Sequence, residues 1–404
     1  MSRKARGHYT ELSMFVPLTF DQTFRPFLQE LARFETTREL EDSVVYRKLK
    51  AEIELALSHV WHEELSSTPP AAASTIRAVS WNIERGIQVD AVRRLLTEHP
   101  ALLNADVLLL SELDWGMART SNRFVARDIA STLGMNYAFA PCYLALTKGA
   151  GVEKNVEGEN LESLHGNALL CKHPMRGVHS LALPNGKDKM QGAEKRIGSQ
   201  RAVIADIEHP LGALRAVSLH LDAHSSQRHR WLQMRQVLDH LDTLNPKLPV
   251  LIGGDWNTTT HNASRALFCI LGYFRRVLMG VRHVVSNHYP FPERWFERRL
   301  FRELVNRGYT FKDMNQAGEC TLHYNIRDMA TNLNLAEWVP NWCFWFVNWA
   351  LERTGGGCSM KLDWFAGKGL RPSGDAVVVH DLKNSGLRVS DHDPIAVSFS
   401  IAPR

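Results

Sequence analysis

The chain of 404 residues has no apolar run approaching the roughly 18 residues that a membrane-spanning helix needs. Its early apolar stretch, Met14 to Phe20, is shorter still and is broken by Pro17, which makes a poor secretion signal. Both absences point to a cytoplasmic protein. Cysteine is scarce as well: the six thiols (Cys142, Cys171, Cys269, Cys320, Cys343, Cys358) are scattered and include no CxxC pair. That excludes a zinc ribbon and a secreted disulfide framework, and favours reduced thiols. No internal repeat is present, so a solenoid is excluded too. The formal charge is only +5, too mild to argue for nucleic-acid binding by itself.

What is present is an ordinary globular composition, 44% hydrophobic and 23% charged, enough to bury a sizeable core. Apolar residues recur at helical spacing from Asp21 to Leu65 (Phe24, Phe27, Leu28, Leu31, then Val45, Leu49, Ile53, Leu57), which predicts two amphipathic helices. The stretch Ser66 to Thr75, SSTPPAAAST, reads as a linker and gives the clearest boundary. Residues 1–70 are therefore expected to form a helical extension, and 71–404 the main domain. Beyond the linker, strand-like runs (IRAVSWNI, DVLLLSE, GNALLC, AVIADIE, ALRAVSLHL, LPVLIGGD) mix with the helical patterns VDAVRRLLTEH, FVARDIASTLG and QRHRWLQMRQVLDHLDTL. Mixing of this kind predicts a layered α/β sandwich. From about residue 262 to 360 an aromatic, arginine-rich stretch interrupts the rhythm and reads as an insertion. Strand patterning resumes at MKLDWFAG, DAVVVH and PIAVSFS.

Polar residues at the ends of strand runs come next, because a strand places its last side chains at the rim of a sheet, where loops form a cleft. Five places stand out: Asn82 in SWNIERG, Glu112 in VLLLSELD, His220 in AVSLHLDAH, Asp255 with Asn257 in VLIGGDWNTT, and Asp391 with His392 in SDHDP. Taken singly, each is more often a turn or cap residue than a catalyst.

Their joint order resembles that of the endonuclease/exonuclease/phosphatase superfamily, which includes pancreatic-type deoxyribonucleases, apurinic-site endonucleases, inositol-polyphosphate phosphatases and neutral sphingomyelinases. GGDWNTT and SDHDP carry most of the resemblance; HGNALLCKHP and the pair Arg230 and Gln233 add to it. The resemblance implies a four-layer α/β/β/α sandwich of two mostly antiparallel sheets. It also implies a Mg²⁺ or Mn²⁺ ion held by Glu112, with Asn82 beside it and Asp391 near, since oxygen ligands suit these hard cations. Asp255 would activate the attacking water. Asn257, two residues on along an extended backbone, would bond phosphate or nucleophile. His392, kept protonated by Asp363 in KLDWF, would stabilise charge on phosphorus, and His220 would face the same phosphate. A catalytically silent binding module would be expected to lack a member of this set, and none is missing. Glu84 reads either as a supporting acid near the metal or as an exposed one. His224 and His229 read as the start of a solvated helix.

The expected activity is that of a phosphodiesterase or nuclease, with a phospholipid or sphingolipid phosphodiesterase or phosphatase as the alternative. Between Leu271 and Thr310, eight arginines stand against three glutamates, with Phe, Tyr and Trp interleaved. This pattern suits a nucleic-acid backbone and stacked bases. It suits an anionic membrane surface less directly, and a helical cap packed on the core equally well. No protein partner can be identified from the sequence.

Overall fold

A computed structural model describes residues 24–66, 74–258, 262, 266–326 and 341–402. Most of the expected linker, and Trp338 of the insertion, lie outside the described residues.

Two large sheets stack face to face. The first runs, from one edge, Trp61–Glu63, Asn136–Ala145, Leu164–Cys171, Val107–Trp115, Ile76–Arg85, Ile395–Ile401 and Leu370–Pro372. The second runs Asp363–Lys368, Val250–Asp255, Leu214–Ser218, Arg201–Ile207 and Met175–Ala182. Along these two paths every neighbouring pair is antiparallel except one in each sheet: Ile76–Arg85 with Val107–Trp115, and Leu214–Ser218 with Val250–Asp255. The expected sandwich of two mostly antiparallel sheets is the observed fold.

Side-chain alternation explains the layering. Ile76 and Ala78 join Val107, Leu109, Val203, Leu251, Phe365 and Phe399 in the layer between the sheets. The alternate residues Val79, Trp81 and Ile83 turn outward onto helices Val89–Glu98 and Val125–Leu133. In the second sheet Val217, Ile252 and Trp364 turn outward onto helix Gln227–Thr243 and onto Leu300, Phe301 and Leu304 of helix Arg298–Asn306. That last helix comes from the insertion, so part of the insertion completes the outer layer.

The N-terminal extension forms a short helical turn, Leu28–Leu31, and helices Thr37–Asp42 and Val44–Ser58, capped by Thr36 and Ser43 hydroxyls. Leu31, Leu40, Leu49 and Ile53 are buried against Leu144, Leu164 and Ile197 of the main domain. Trp61–Glu63 then pairs with Tyr137–Phe139 as an edge strand. Two of the longer strands were not evident from sequence, Asn136–Ala145 and Met175–Ala182. The first is buried on both faces, which removes its alternation, and it carries Pro141 at a register shift.

Candidate active site

Alternation places Asn82, His220, Asp255 and Asp363 on the inner face at one end of the sandwich. Asp255 and Asp363 sit on the same rung of their antiparallel pair. Gly254 lets this strand approach the His220 strand: its φ is +142°, and a Cβ there would lie 1.9 Å from the Leu219 carbonyl oxygen.

Glu112 obeys a different rule. Leu108 and Leu110 face the outer helices, so strict alternation would send Glu112 outward as well. Instead its φ is +57°, and the register slips between Leu110 and Leu113. Parallel slippage occurs between Asn82 and Arg85, where Glu84 (φ +48°) and Arg85 (φ +64°) are left-handed too. These bulges re-aim the rim residues into the cleft. The amide of Asn82 then donates to Glu112 Oε1 at 3.1 Å and to Asp255 Oδ2 at 3.1 Å.

Asp255 Oδ2 is the point of convergence. Besides the Asn82 amide, His220 Nε2 lies 3.4 Å and His392 Nε2 3.7 Å from it. Its other oxygen accepts from the Asn257 N–H at 2.9 Å. Asp363 Oδ2 is 2.7 Å from His392 Nδ1. The Ser390–His392 loop is seated on the first sheet: Ser390 Oγ donates to the Asn82 carbonyl at 2.7 Å, and Trp81 Nε1 to the His392 carbonyl at 2.9 Å. The Asp391 N–H donates to Glu84 Oε2 at 3.2 Å.

One expectation is corrected. The backbone at Asn257 is not extended but left-handed, with φ +52°. Asp255 caps this turn through the Asn257 N–H, and the Asn257 amide is anchored on the Leu221 carbonyl at 3.0 Å.

Electrostatics divide the acids. Burial pushes the Asp255 carboxyl up and Asp363's charge adds to this, while His392 and His220 pull it back. Burial opposes a charged His392, yet Asp363 and Asp255 outweigh it and raise its pKa well above the usual range. Desolvation would raise Glu112 too, but Arg85, His220, His165 and the Asn82 amide hold it below the usual carboxylate range. Desolvation raises Asp391, and the Glu112 charge adds to it. Glu112 and Asp391 are two half-buried carboxylates that feel each other's charge and offer oxygen donors of the kind hard divalent cations take, while the Asn82 amide turns its nitrogen to Glu112 and its oxygen to the Glu84 N–H at 3.1 Å.

Support residues absent from the sequence reading lie behind Glu112. Arg119 is buried, held by both oxygens of Asp114 at 2.7 and 3.0 Å and by Glu153 and Glu194 at 3.0 Å each. Asp114 also lies 2.8 Å from His165 Nδ1. Arg85, whose Nε lies 3.3 Å from Glu153, ties this network to Glu112. Arg85 precedes Gly86 in a left-handed turn, the one local signal the sequence offered. The insertion reaches the site as well. Leu322 bridges His392, and Thr321 Oγ1 accepts the Asp363 N–H at 3.1 Å. His224 and His229 do not join the convergent set; His229 Nε2 lies 2.8 Å from the Pro184 carbonyl.

The two-sheet sandwich thus gathers acids, amides and histidines at one rim. Residues 79–392 match the model of the Endonuclease/Exonuclease/phosphatase family. The chain belongs to this family, and with it to the phosphoester hydrolases. No curated protein matches it. Among similar solved structures, an endonuclease/exonuclease/phosphatase from Beutenbergia cavernae DSM 12333 is 14% identical, with 81% of this chain and 72% of that one covered and a TM-score of 0.48. The human Nocturnin catalytic domain with bound sulfate anion is 16% identical, with 85% and 97% covered and a TM-score of 0.44. The 3'-5' exonuclease NExo from Neisseria meningitidis is 15% identical, with 80% and 100% covered and a TM-score of 0.46.

Proposed function

We propose that the protein hydrolyses a phosphodiester with water activated by Asp255, in the presence of Mg²⁺ or Mn²⁺ held by Glu112 and Asp391 with Asn82 beside them. The observation that carries this reading is the convergence of Asn82, His220 and His392 on one oxygen of Asp255. A buried carboxylate whose pKa is raised is a better base than an exposed one. His392, held charged by Asp363, donates to the phosphate oxygen on which negative charge builds. Asn257 and Asn82 keep the two Asp255 oxygens oriented. The cation would supply Lewis-acid polarisation of the phosphate.

For the substrate, the insertion favours a lipid phosphodiester over nucleic acid. Helix Ala266–Leu278 exposes Leu267, Leu271, Phe274 and Leu278 along one face, with Leu278 87% exposed. Helix Asn341–Glu352, joined to it by a hydrogen bond from the Tyr273 hydroxyl to the Phe346 carbonyl at 2.6 Å, exposes Trp345 and Trp349. Between them lies an apolar cavity of about 350 Å³ lined by Ile270, Phe274, Val277, Phe346 and Leu351. Meanwhile several arginines are engaged internally: Arg307 with Asp239, Asp242 and Glu303, Arg282 with a backbone carbonyl, and Arg299 over the Trp231 ring. An apolar face of this kind suits insertion at a lipid surface. Among the described residues no helix is long and apolar enough to cross a membrane.

The test is hydrolysis of bis(p-nitrophenyl) phosphate, single- and double-stranded DNA, and phospholipid or sphingolipid vesicles, with Mg²⁺, Mn²⁺ or EDTA. Asp255→Asn is expected to lower turnover by orders of magnitude with the fold kept. Glu112→Gln is expected to raise the Mg²⁺ concentration for half-maximal rate at least about tenfold. Near wild-type turnover in both variants would overturn the site. DNA cleavage without lipid cleavage would overturn the substrate reading alone.

A further inference from the structure

Beside the catalytic loop, on its insertion side, two histidines converge on a single carboxylate oxygen. His323 Nε2 lies 2.9 Å and His380 Nδ1 2.6 Å from Asp393 Oδ2. One ligand atom from each of the three residues falls within 4.8 Å of the others. Three separate segments supply them: the insertion hairpin of Leu322–Asn325 with Gly357–Met360, the stretch after Val377–Val378, and the loop carrying His392.

The remaining ring nitrogens are held from behind. His323 stands opposite Ser359 in the hairpin register, and its Nδ1 is 2.7 Å from the Ser359 hydroxyl. His380 Nε2 is 3.1 Å from Glu319 Oε2. At these separations the inner nitrogens donate to Asp393; a proton moved to each outer nitrogen, toward Glu319 and Ser359, would free both inner lone pairs for a cation. Outer partners that fix tautomer and ring direction in this way are what metal-ligating histidines carry. Strand alternation separates the two faces: Tyr324, Cys358 and Met360 line the apolar cavity, while His323 meets Ser359 through one ring nitrogen and Asp393 through the other.

We propose that His323, His380 and Asp393 form a second cation site, selective for a zinc-type ion. This site fastens the insertion hairpin to the Ser390–Asp393 loop. Two imidazoles and one carboxylate, with a fourth position for water, match zinc's preferred tetrahedral donors. Mg²⁺ and Mn²⁺ favour the oxygen-only set at Glu112 and Asp391 instead. Tetrahedral zinc ligands stand roughly 3.3 Å apart, so binding would widen the His323 contact by about 0.4 Å and the His380 contact by about 0.7 Å. The Asp393 N–H already donates to the Thr321 carbonyl at 2.7 Å, so the ion would reinforce an existing junction.

The test uses the full chain, stripped with chelator, titrated with Zn²⁺ under excess Mg²⁺ and checked by elemental analysis. Co²⁺ replaces Zn²⁺ in a parallel titration to read tetrahedral coordination from its visible absorption. Wild type and Glu112→Gln are expected to retain one zinc equivalent and the tetrahedral cobalt signal. His380→Ala, at an exposed residue whose loss leaves the core intact, is expected to weaken zinc at least about tenfold, as is Asp393→Asn. Zinc should raise the melting temperature of wild type and not that of His380→Ala. Unchanged zinc affinity in His380→Ala would overturn the proposal. Loss of zinc in Glu112→Gln alone would also overturn it, by assigning the ion to the catalytic rim. So would loss in His209→Ala alone, which would place the ion in the separate buried group of Asp106, His173 and His209.

Discussion

Asp255 and Asp363 stand on the same rung of two antiparallel strands, and the His392 ring links them, 2.7 Å from Asp363 through Nδ1 and 3.7 Å from Asp255 through Nε2. Two buried carboxylates facing one ring favour its charged form, and Asp363 and Asp255 accordingly raise the His392 pKa well above its usual range. In the proposed mechanism the Nε2 proton of this ring would be the one offered to the phosphate.

Removing Asp363 therefore has a signed consequence for pH. In wild type, His392 keeps its charge above its ordinary range, with Asp363 the largest favourable contribution. Asp363→Asn is expected to move the alkaline limb of kcat/KM to lower pH, read from rate profiles on bis(p-nitrophenyl) phosphate. Linkage fixes the stability effect too. A raised folded pKa stabilises fully below the unfolded value and fades as pH rises through the folded one, so the stability gap between wild type and variant should narrow in alkali. An unmoved alkaline limb would remove His392 from the proton-bearing role.

Gly254 gives a test of how tightly the site is built. Alanine there must adopt φ +142° and place its Cβ 1.9 Å from the Leu219 carbonyl, so either the backbone shifts or the strands part. Gly254→Ala is expected to cost about 2–5 kcal/mol in urea unfolding, combining strain with overpacking. Because Leu219 precedes His220, turnover should fall even where the variant remains folded. A neutral stability effect would show that the pairing of these strands is looser than the geometry states.

Much of this was legible in the chain, and the limits have physical causes. Strand-end polarity marked Asn82, Glu112, His220, Asp255 and His392 because rims collect functional side chains, and all of them converge in the fold. The direction of Glu112 was not legible: alternation alone sends it outward, and only a left-handed bulge turns it in. Arg119 and its carboxylates were hidden because a buried ion network has no spacing rule in sequence. His323, His380 and Asp393 were hidden for the same reason, being brought together by a hairpin from the insertion.

The N-terminal extension contributes an edge strand and buries Leu31, Leu40, Leu49 and Ile53 against the main domain. Each such side chain contributes about 1.5–3 kcal/mol when fully buried. Starting the chain at Ile76 should therefore lower the melting temperature or the soluble yield, while the catalytic residues, none of which lies before Asn82, remain in place. Equal stability with and without residues 1–75 would show that this packing is marginal. Equal kcat per folded molecule would separate stability from chemistry.

Whether the insertion is integral to the core can be decided at one ion pair. Arg230 on helix Gln227–Thr243 and Glu297 just before helix Arg298–Asn306 are both fully buried, with Arg230 Nε 2.9 Å from Glu297 Oε1. Burial pushes the Glu297 carboxyl up, and Arg230 restrains it. Arg230→Met strands a buried carboxylate and is expected to cost about 3–5 kcal/mol, whereas Arg230→Met with Glu297→Leu should recover most of it, since an apolar pair avoids the desolvation of both ions. The measurement is a double-mutant cycle by urea unfolding. A double variant as unstable as the single one would mean that the helix docks through Leu300, Phe301 and Leu304 in a geometry only the ion pair allows, making the insertion's placement electrostatic rather than apolar in origin.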